Sequence, residues 1–479
     1  MKTYQDLLKV VDNEKLLKDF IITAINAHKG SEQYRWAKTG EDYDKQQNTT
    51  IMRYRKLLYT MSGQAVPDNF NANHKLPSNF YNRFNVQENQ YLLGNGVNFD
   101  NEDTKKKLGT KRKAFDTRMQ KLGKIALTQG EAFGFWNLDH IDVFEFLEFV
   151  PLYDEEDGAL KAGIRFWQIA DDKPLRATLY ELDGYTEYIK TKNDPNLVVY
   201  QPKRPYVLKV RTSKVDGKEI YDGENYPSFP IVPLWGNQDH VIKIKAWQPK
   251  IDCYDLIESG FANDVDDASL IYWTITNAGG MDDVDLAKFL QHMKTVHAAT
   301  VSDEGAKAEA HTVDVPVTAR ETYLTRLEKD LIKDAMALDT EAIASGNTVA
   351  TAIRASYEPL NEKTDDFEYC VIEFIQSILE LAGIDDDPSF KRSMIVNMTE
   401  ETNMLLAAAQ YLDDETILKH LPFLNVDEID GILDNLTREE ADRFEEEDFL
   451  LDEEEEDVEE ESSSIDDMIS ELQQLLGGM

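Results

Sequence analysis

The chain has 479 residues, of which 42% are hydrophobic, so its length allows two to four domains and its composition allows a substantial core. The formal net charge of -40 argues against a protein that coats nucleic acid through a basic patch. Two cysteines, Cys253 and Cys370, provide no disulfide framework and favour a reducing compartment. We expect neither a signal peptide nor a membrane span, because the sequence has no sufficiently long apolar run.

The first 130 residues are predicted to be mainly helical. Apolar residues recur at three- and four-residue steps from Leu7 to Ala27, in the segment that carries Phe80, Phe84 and Tyr91, and from Lys113 to Gln129. Glycines follow each of these segments, as expected where helices end.

From about residue 130 to 235 the pattern becomes typical of β-structure. Aromatic and β-branched residues predominate, and Asp-Gly pairs at Asp157, Asp183 and Asp216 predict turns. The clearest hairpin is predicted over Thr178 to Lys190. An antiparallel region therefore follows the helical part, which predicts an α+β fold.

A long amphipathic helix is predicted to begin at Pro249 and to continue to about Ala268. One side is apolar, and the other carries Asp252, Asp255, Glu258, Asp266 and Asp267. A second helix is predicted from Ala319 to about Ala344, after an insertion of about fifty residues. Two such helices form a hairpin that projects the insertion away from the body.

The last third of the chain contains one more long helix and then short ones. Apolar residues repeat at helical spacing from Ile353 to Leu381, and Pro359 is expected to kink this helix. The block from Glu439 to Glu461 has sixteen acids and a single arginine, which predicts a disordered, self-repelling tail. An amphipathic stripe after this block is a candidate for folding on a partner.

Several stretches, taken in order, resemble the portal proteins of tailed bacteriophages, in the large family that infects Gram-positive hosts. They are NHKLPSNFYNRFNVQENQYLLGNGVNFD, IALTQGEAFGFW, the pair VPLYD and AGIRFW, FPIVPLWGN before IDCYDLIESGFANDVDDAS, and SGNTVATAIRASYEPLNEK. The resemblance covers roughly residues 50–435. None of these motifs is catalytic, so the specificity comes from their order.

The resemblance implies a division into portal regions. These are a wing (1–238), a first stem helix (239–269), a clip (270–318), a second stem helix (319–344), a tunnel loop (345–351), a long helix from wing to crown (352–384), a crown (385–445) and an acidic tail (446–479). It also implies that copies, usually twelve, form a ring at one capsid vertex. Double-stranded DNA passes through this ring, which docks the terminase and later a head–tail adaptor, and which assembles in the host cytoplasm with major capsid and scaffolding proteins.

Three groups of residues are candidates for function under this resemblance. The acids of the first stem helix either form an anionic channel wall that lets DNA slide or form an ordinary solvated face. The tunnel loop either touches DNA phosphates or is an ordinary helix–helix connection. The loop is short and departs from some relatives because it contains no lysine or arginine, and the first cation after it is Arg354. The candidate loop residues are Ser345, Gly346, Asn347, Thr348, Thr351 and Arg354, and the candidate clip docking residues are Lys288, His292 and Lys294.

No enzymatic motif is present, and we expect no catalytic residue, metal or cofactor. The sequence has no P-loop, no G-x-S-x-G and no H-E-x-x-H, so ATP hydrolysis is expected from a partner. Two alternatives remain open: a structural adaptor or minor capsid protein without DNA passage, and an uncharacterised nuclease or ATPase. The acidic tail is expected to engage scaffolding protein, capsid shell or a neighbouring subunit.

Overall fold

The computed structural model describes residues 2–59, 63–68, 71–101, 103–110, 113–191, 196–212, 219–268, 272–276, 307–311, 316–340 and 350–393, with scattered residues between 284 and 291 and between 402 and 438. The chain divides into two compact units, Met1–Gly346 with Ala355–Met394, and Asn347–Arg354 with Ile395–Met479. In the second unit the described part of 395–479 is mainly helical and includes a 3-10 turn at Ala409–Tyr411.

The first unit begins with short helices. They are α1 (Tyr4–Leu8), α2 (Glu14–Lys29), α3 (Glu32–Asp44) and α4 (Thr49–Arg53), followed by a small hairpin of β1 (Leu57–Tyr59) and β2 (Ala65–Pro67). The continuous helix predicted from Leu7 is wrong at its start, because Asn13 accepts hydrogen bonds from the N–H groups of Lys15 and Leu16 and so caps a new helix. Next come α5 (Phe80–Leu93), β3 (Val97–Phe99), α6 (Thr104–Leu108) and α7 (Phe115–Gln129).

The antiparallel region predicted from about residue 130 to 235 is confirmed, and it contains two main sheets. A three-stranded sheet has the order β13-β4-β5, formed by β4 (Glu131–Asn137), β5 (His140–Glu145) and β13 (Ile231–Trp235). A five-stranded meander has the order β10-β9-β8-β7-β6, formed by β6 (Phe149–Tyr153), β7 (Leu160–Trp167), β8 (Leu175–Glu181), β9 (Gly184–Lys190) and β10 (Val198–Arg204). β11 (Val207–Thr212) and β12 (Glu219–Glu224) form a separate hairpin.

The predicted hairpin over Thr178 to Lys190 is confirmed. Strands β8 and β9 pair with Thr178 opposite Glu187, and Glu181 is opposite Gly184, so the turn has two residues. Gly184 has a φ of +135°, a backbone conformation that L side chains rarely adopt. The Asp157-Gly158 pair also makes a turn, with Gly158 at a φ of +71°, whereas Asp216 lies outside the described residues.

The remaining elements are long helices and short strands. They are α8 (Ile244–Ala268), β14 (Tyr272–Thr276), β15 (Lys307–His311), α9 (Val317–Asp334), α10 (Ala350–Ala382) and β16 (Pro388–Phe390). The predicted long helix with Pro359 inside it is therefore confirmed. None of the described helices is both long enough and apolar enough to cross a bilayer.

One large core joins α10 to the wing. Phe367, Val371 and Phe374 of α10 pack with Leu122 of α7 and Leu234 of β13. A Cβ atom at Gly134 of β4 would lie 2.4 Å from Cζ of Phe374, so only glycine lets the helix approach the sheet this closely. The other face of the sheet packs through aromatic residues against the five-stranded meander.

The predicted start of the first stem helix at Pro249 is wrong. Helix α8 begins at Ile244 and includes Pro249, because Ile244, Trp247 and Ile251 lie on one buried stripe. The proline lacks only the N–H that would bond to the carbonyl of Lys245.

The second stem helix also differs from its prediction, which extended it to Ala344. Helix α9 ends at Asp334, where Met336 adopts a φ of +49° and Ala337 donates its N–H to the carbonyl of Ile332 at 3.0 Å. Leu338 then exchanges two hydrogen bonds with the side-chain amide of Gln87. Docking on α5 therefore stops the helix.

The predicted start of the crown at residue 385 is wrong. Strand β16 pairs with β3 in register from Pro388 opposite Phe99 to Phe390 opposite Val97. Asp386 accepts hydrogen bonds from the N–H groups of Asp100 and Asn101. Residues 385–393 therefore belong to the wing unit, and the second unit resumes only at Ile395.

Candidate functional site

The two stem helices form an antiparallel pair, as predicted. Lys250 of α8 pairs with Asp334 of α9, and Asp264 of α8 pairs with Arg320 of α9. Because residue numbers rise along one helix as they fall along the other, the helices run in opposite directions. They bracket a two-stranded ladder in which Tyr272 of β14 lies opposite His311 of β15.

A polar stripe on α8 holds an extended segment, 74–78, which we call the strap. Asp255 Oδ1 accepts from the N–H of Ser78 at 2.9 Å, Ser259 Oγ accepts from the N–H of Leu76 at 3.0 Å, and Asn263 Oδ1 accepts from the N–H of His74 at 2.7 Å. These acceptors recur every four residues, or roughly 6 Å along a helix. Alternate N–H groups of an extended chain recur at nearly the same distance, roughly 6.5 Å.

Two of the predicted channel acids, Asp255 and Asp252, therefore accept hydrogen bonds from other segments of the chain. Asp255 is fully buried, and its Oδ2 accepts a 2.5 Å hydrogen bond from the side-chain amide of Asn48. Asp252 accepts hydrogen bonds from the hydroxyls of Tyr43 and Thr50, the latter at 2.7 Å. The prediction that Asp255 lines an exposed wall is wrong, because the strap and α4 cover this part of the helix.

Burial changes the titration of groups on α8 and next to it. Desolvation raises the pKa of Asp255 above its usual range, although hydrogen bonds from Asn48 and Ser78 oppose the shift. Burial, assisted by the adjacent Asp252, raises the pKa of Tyr43 to about 12. Burial also raises the pKa of the half-buried Glu258, with Asp255 and Glu328 contributing further. The anionic stripe is thus partly a packed surface.

Replacing Asp255 by alanine is expected to lower the free energy of unfolding by about 1–3 kcal/mol, because the N–H of Ser78 and the amide of Asn48 both lose their acceptor. Urea denaturation measures the difference. The matched control is Asp266→Ala on the same helix, where the half-exposed carboxylate pairs with His74 and the loss should stay under about 1 kcal/mol. Equal losses in the two variants would contradict the strap's role.

The other predicted residues are placed as follows. Asp267 lies in the last turn of α8. Thr351 and Arg354 lie in the first turns of α10, and the side chain of Arg354 is exposed. The prediction that the tunnel loop extends to Thr351 is wrong, because α10 already begins at Ala350. Lys288 is exposed within the predicted clip. Ser345, Gly346, Asn347, Thr348, His292 and Lys294 lie outside the described residues.

Sequence reasoning missed a buried charge triad at the base of the stem. Glu88 of α5 is 0% exposed, and it lies 2.5 Å from Nζ of Lys243, just before α8, and 2.7 Å from Nζ of Lys363 on α10. The two ammonium groups lower the pKa of Glu88 against the opposing effect of burial, and burial lowers the pKa of Lys363 to about 8. The available signal was a glutamate on the apolar stripe of α5.

Comparisons with known proteins agree with the predicted family. A family model described as phage portal protein, SPP1 Gp6-like, matches residues 30–454. The chain is 25% identical over 209 residues to a portal protein of Clostridium phage phiCD119, covering 42% of this chain and 46% of that protein. It is 23% identical over 323 residues to a portal protein of Bacillus phage SPP1, covering 62% of this chain and 60% of that protein.

The chain thus spans about half to three fifths of the length of these two curated relatives. Among solved structures, a chain from the virion of a native gene transfer agent particle has a TM-score of 0.42 and 12% identity, with 72% of this chain and 90% of that chain covered. The family model covers far more than half of the sequence. This chain therefore belongs to the SPP1 Gp6-like family of phage portal proteins.

Proposed function

We propose that copies of this chain, usually twelve, form a ring around a channel for double-stranded DNA at the portal vertex of a capsid. The ring conducts DNA during packaging and ejection and docks first the terminase and then the head–tail adaptor. It also nucleates procapsid assembly with the major capsid and scaffolding proteins in the host cytoplasm. The role is structural, so the energy for DNA movement comes from ATP hydrolysis by the terminase.

The observation that carries this proposal is the antiparallel α8–α9 pair with a small ladder between its arms. Val265 on α8 and Val317 and Tyr323 on α9 are exposed, although they are apolar or aromatic. Exposed apolar side chains at the ends of two adjacent helices are typical of a surface that contacts a partner. Identical neighbours in a ring are the partners that family membership favours.

We assign the DNA contact to the end of the connection between α9 and α10 and to the first turns of α10. Asn347, Thr348 and Thr351 offer amide and hydroxyl groups, which position a duplex through its phosphates without reading bases. Arg354 is the first cation that follows, and it is exposed. For the channel wall we keep Glu258, Asp266 and Asp267 as the proposed acids, since Asp255 is buried and Asp252 is hydrogen-bonded to the wing.

We assign docking of the terminase, and later of the head–tail adaptor, to the clip. Lys288 is exposed there, and His292 and Lys294 follow it in the sequence. Cations in an otherwise acidic chain give a partner a local site of opposite charge.

Purified protein is expected to form rings with a bore wide enough for duplex DNA, which electron microscopy and mass photometry measure. Deletion of residues 346–348 is expected to leave ring formation intact and to lower the fraction of DNA-filled particles in a packaging assay. The matched control is deletion of residues 171–173, an exposed loop of the wing meander. A solitary particle without a bore would contradict the proposal and favour a structural adaptor. Full DNA filling by the 346–348 deletion would contradict the loop's role.

A further inference from the structure

An open aromatic cleft lies between strand β13, at one edge of the three-stranded sheet, and helix α10. Its volume is about 690 Å³. The rings of Trp235 and His240 stack in it with their centroids 3.7 Å apart and their planes 5° apart. Tyr369 of α10 also lines the cleft, and 60% of its surface is exposed. Aromatic faces left open to solvent in this way are typical of a contact site.

The cleft is also anionic. Glu373 lines it, Asp366 accepts the N–H of the lining residue Gln238, and Asp239 lies between the lining residues Gln238 and His240 in the sequence. Within the described ranges, no lysine or arginine lies within ion-pair distance of Glu373. By contrast, Arg392 pairs with Glu368 at 2.7 Å on the neighbouring face of the same helix. Aromatic rings beside a carboxylate suit a cationic side chain, which gains a cation–π contact and an ion pair.

The opposite edge of the same sheet carries a basic segment, which we define as Lys105, Lys106, Lys107 and Lys113. The first three lie on α6, which packs against β5 and α7, and the ammonium of Lys113 lies 3.9 Å from Asp142 of β5. The side chain of Lys106 is 74% exposed, and it pairs with Asp103 at 2.8 Å on the surface. Such a density of lysine is exceptional in a chain with 91 acidic and 51 basic residues.

The order β13-β4-β5 separates these two surfaces. Strand β4 lies between the cleft edge and the basic edge, so the two surfaces lie at opposite edges of the sheet. Complementary surfaces on opposite sides of a subunit make a head-to-tail contact, which closes into a ring when the rotation between copies allows it.

We propose that the basic segment of one copy docks in the aromatic cleft of the next copy, where a lysine ammonium lies between Tyr369 and Glu373. This proposal rests on the ring of the proposed function and adds the residues that join its wings. A second copy explains both surfaces at once. DNA or the acidic tail would satisfy only the lysines and would be repelled by the cleft.

Charge reversal tests the contact. Glu373→Lys and the double variant Lys106→Glu with Lys107→Glu are each expected to raise the concentration at which half of the chains are in rings by roughly tenfold. Combining all three substitutions should restore assembly, because the charges are exchanged. The controls are Glu380→Lys, exposed on the same helix outside the cleft, and Lys15→Glu, exposed on α2. Tyr369→Ala should weaken assembly without any change of charge.

Mass photometry across a concentration series gives the ring fraction, and thermal unfolding checks that each variant is folded. A wild-type chain that stays monomeric at every concentration would contradict the proposed function together with this contact. If the wild type forms rings and Glu373→Lys forms them at the same concentrations, the contact is wrong and the proposed function still stands. The contact would also be overturned if the lysine variants lost DNA binding but kept ring assembly. It would likewise be overturned if the combined variant did not regain ring assembly.

Discussion

Replacing Glu88 by glutamine is expected to lower the free energy of unfolding by about 3–5 kcal/mol, because breaking a buried ion pair leaves its partners uncompensated. Glu88 is 0% exposed and contacts two ammonium groups, those of Lys243 at 2.5 Å and Lys363 at 2.7 Å. The amide that replaces the carboxylate cannot balance either charge. Denaturation by guanidinium chloride at pH 7 measures the loss.

The matched control is Lys363→Met, which removes one cation from a triad with two cations and one anion. The remaining Glu88–Lys243 pair is balanced, and the methionine can pack on Trp247, whose ring centroid lies 5.2 Å from Nζ of Lys363. We therefore expect a change of less than about 1.5 kcal/mol at pH 7. Equal losses in the two variants would mean that the triad stabilises the fold only by packing.

The wild type and Lys363→Met are also expected to differ in how their free energy of unfolding depends on pH. Burial lowers the pKa of Lys363 from 10.5 to about 8, so between these values the unfolded chain holds a proton that the folded chain has released. Stability contributed by this group therefore rises with pH across that window. Relative to Lys363→Met, the wild type should gain about 2–3 kcal/mol between pH 8 and pH 10. A constant difference would show that Lys363 stays charged when folded.

The triad shows where sequence reasoning stops. Helical periodicity places Glu88 on the buried stripe of α5, between Phe84 and Tyr91, where a charge is costly unless it is paired. Its partner Lys243 lies 155 residues away in the sequence. Periodicity identifies the face of a helix but not the residues that cover it, and only the fold brings α5, α8 and α10 together.

The acids of α8 illustrate the same limit. The spacing of Asp252, Asp255 and Asp266 correctly predicts a polar side opposite an apolar one. A polar side suits solvent, a channel or a segment of the same chain equally well. Asp255 binds the strap because the backbone N–H of Ser78, once removed from water, needs an acceptor.

Element order was predictable, whereas element ends were not. The meander, the two stem helices and the long helix all follow from local pattern and turn residues. The end of α9 depends on Gln87, and the wing boundary after α10 depends on pairing of β16 with β3. Both contacts join distant parts of the chain, so no local signal marks them.

A second large effect is expected at Glu131, whose replacement by glutamine should stabilise the protein at alkaline pH. Glu131 is 3% exposed at the start of β4, opposite Trp235 in the sheet, and it accepts a hydrogen bond from the hydroxyl of Tyr153. Burial raises its pKa from 4.5 to about 8, and no cation among the residues that the structure describes offsets the desolvation. The carboxyl group is therefore protonated in the folded chain at neutral pH.

The sign of the pH dependence follows from proton counting. Between pH 4.5 and pH 8 the folded chain keeps a proton that the unfolded chain has lost, so stability falls as pH rises through this window. Glutamine accepts the same hydrogen bond from Tyr153 and does not titrate. Glu131→Gln should match the wild type within about 1 kcal/mol at pH 5 and exceed it by about 3–5 kcal/mol at pH 8.

Thermal and urea unfolding at both pH values measure the difference, with Glu156→Gln in the exposed β6–β7 turn as the control that should show no such change. If Glu131→Gln changed the free energy of unfolding by the same amount at pH 5 and pH 8, Glu131 would have to be ionised inside the sheet. That outcome would require a cation or water at the start of β4, next to Gly130, where Ile242 lies 2.5 Å from an added Cβ. Close apolar packing at this position is the reason we expect the protonated acid.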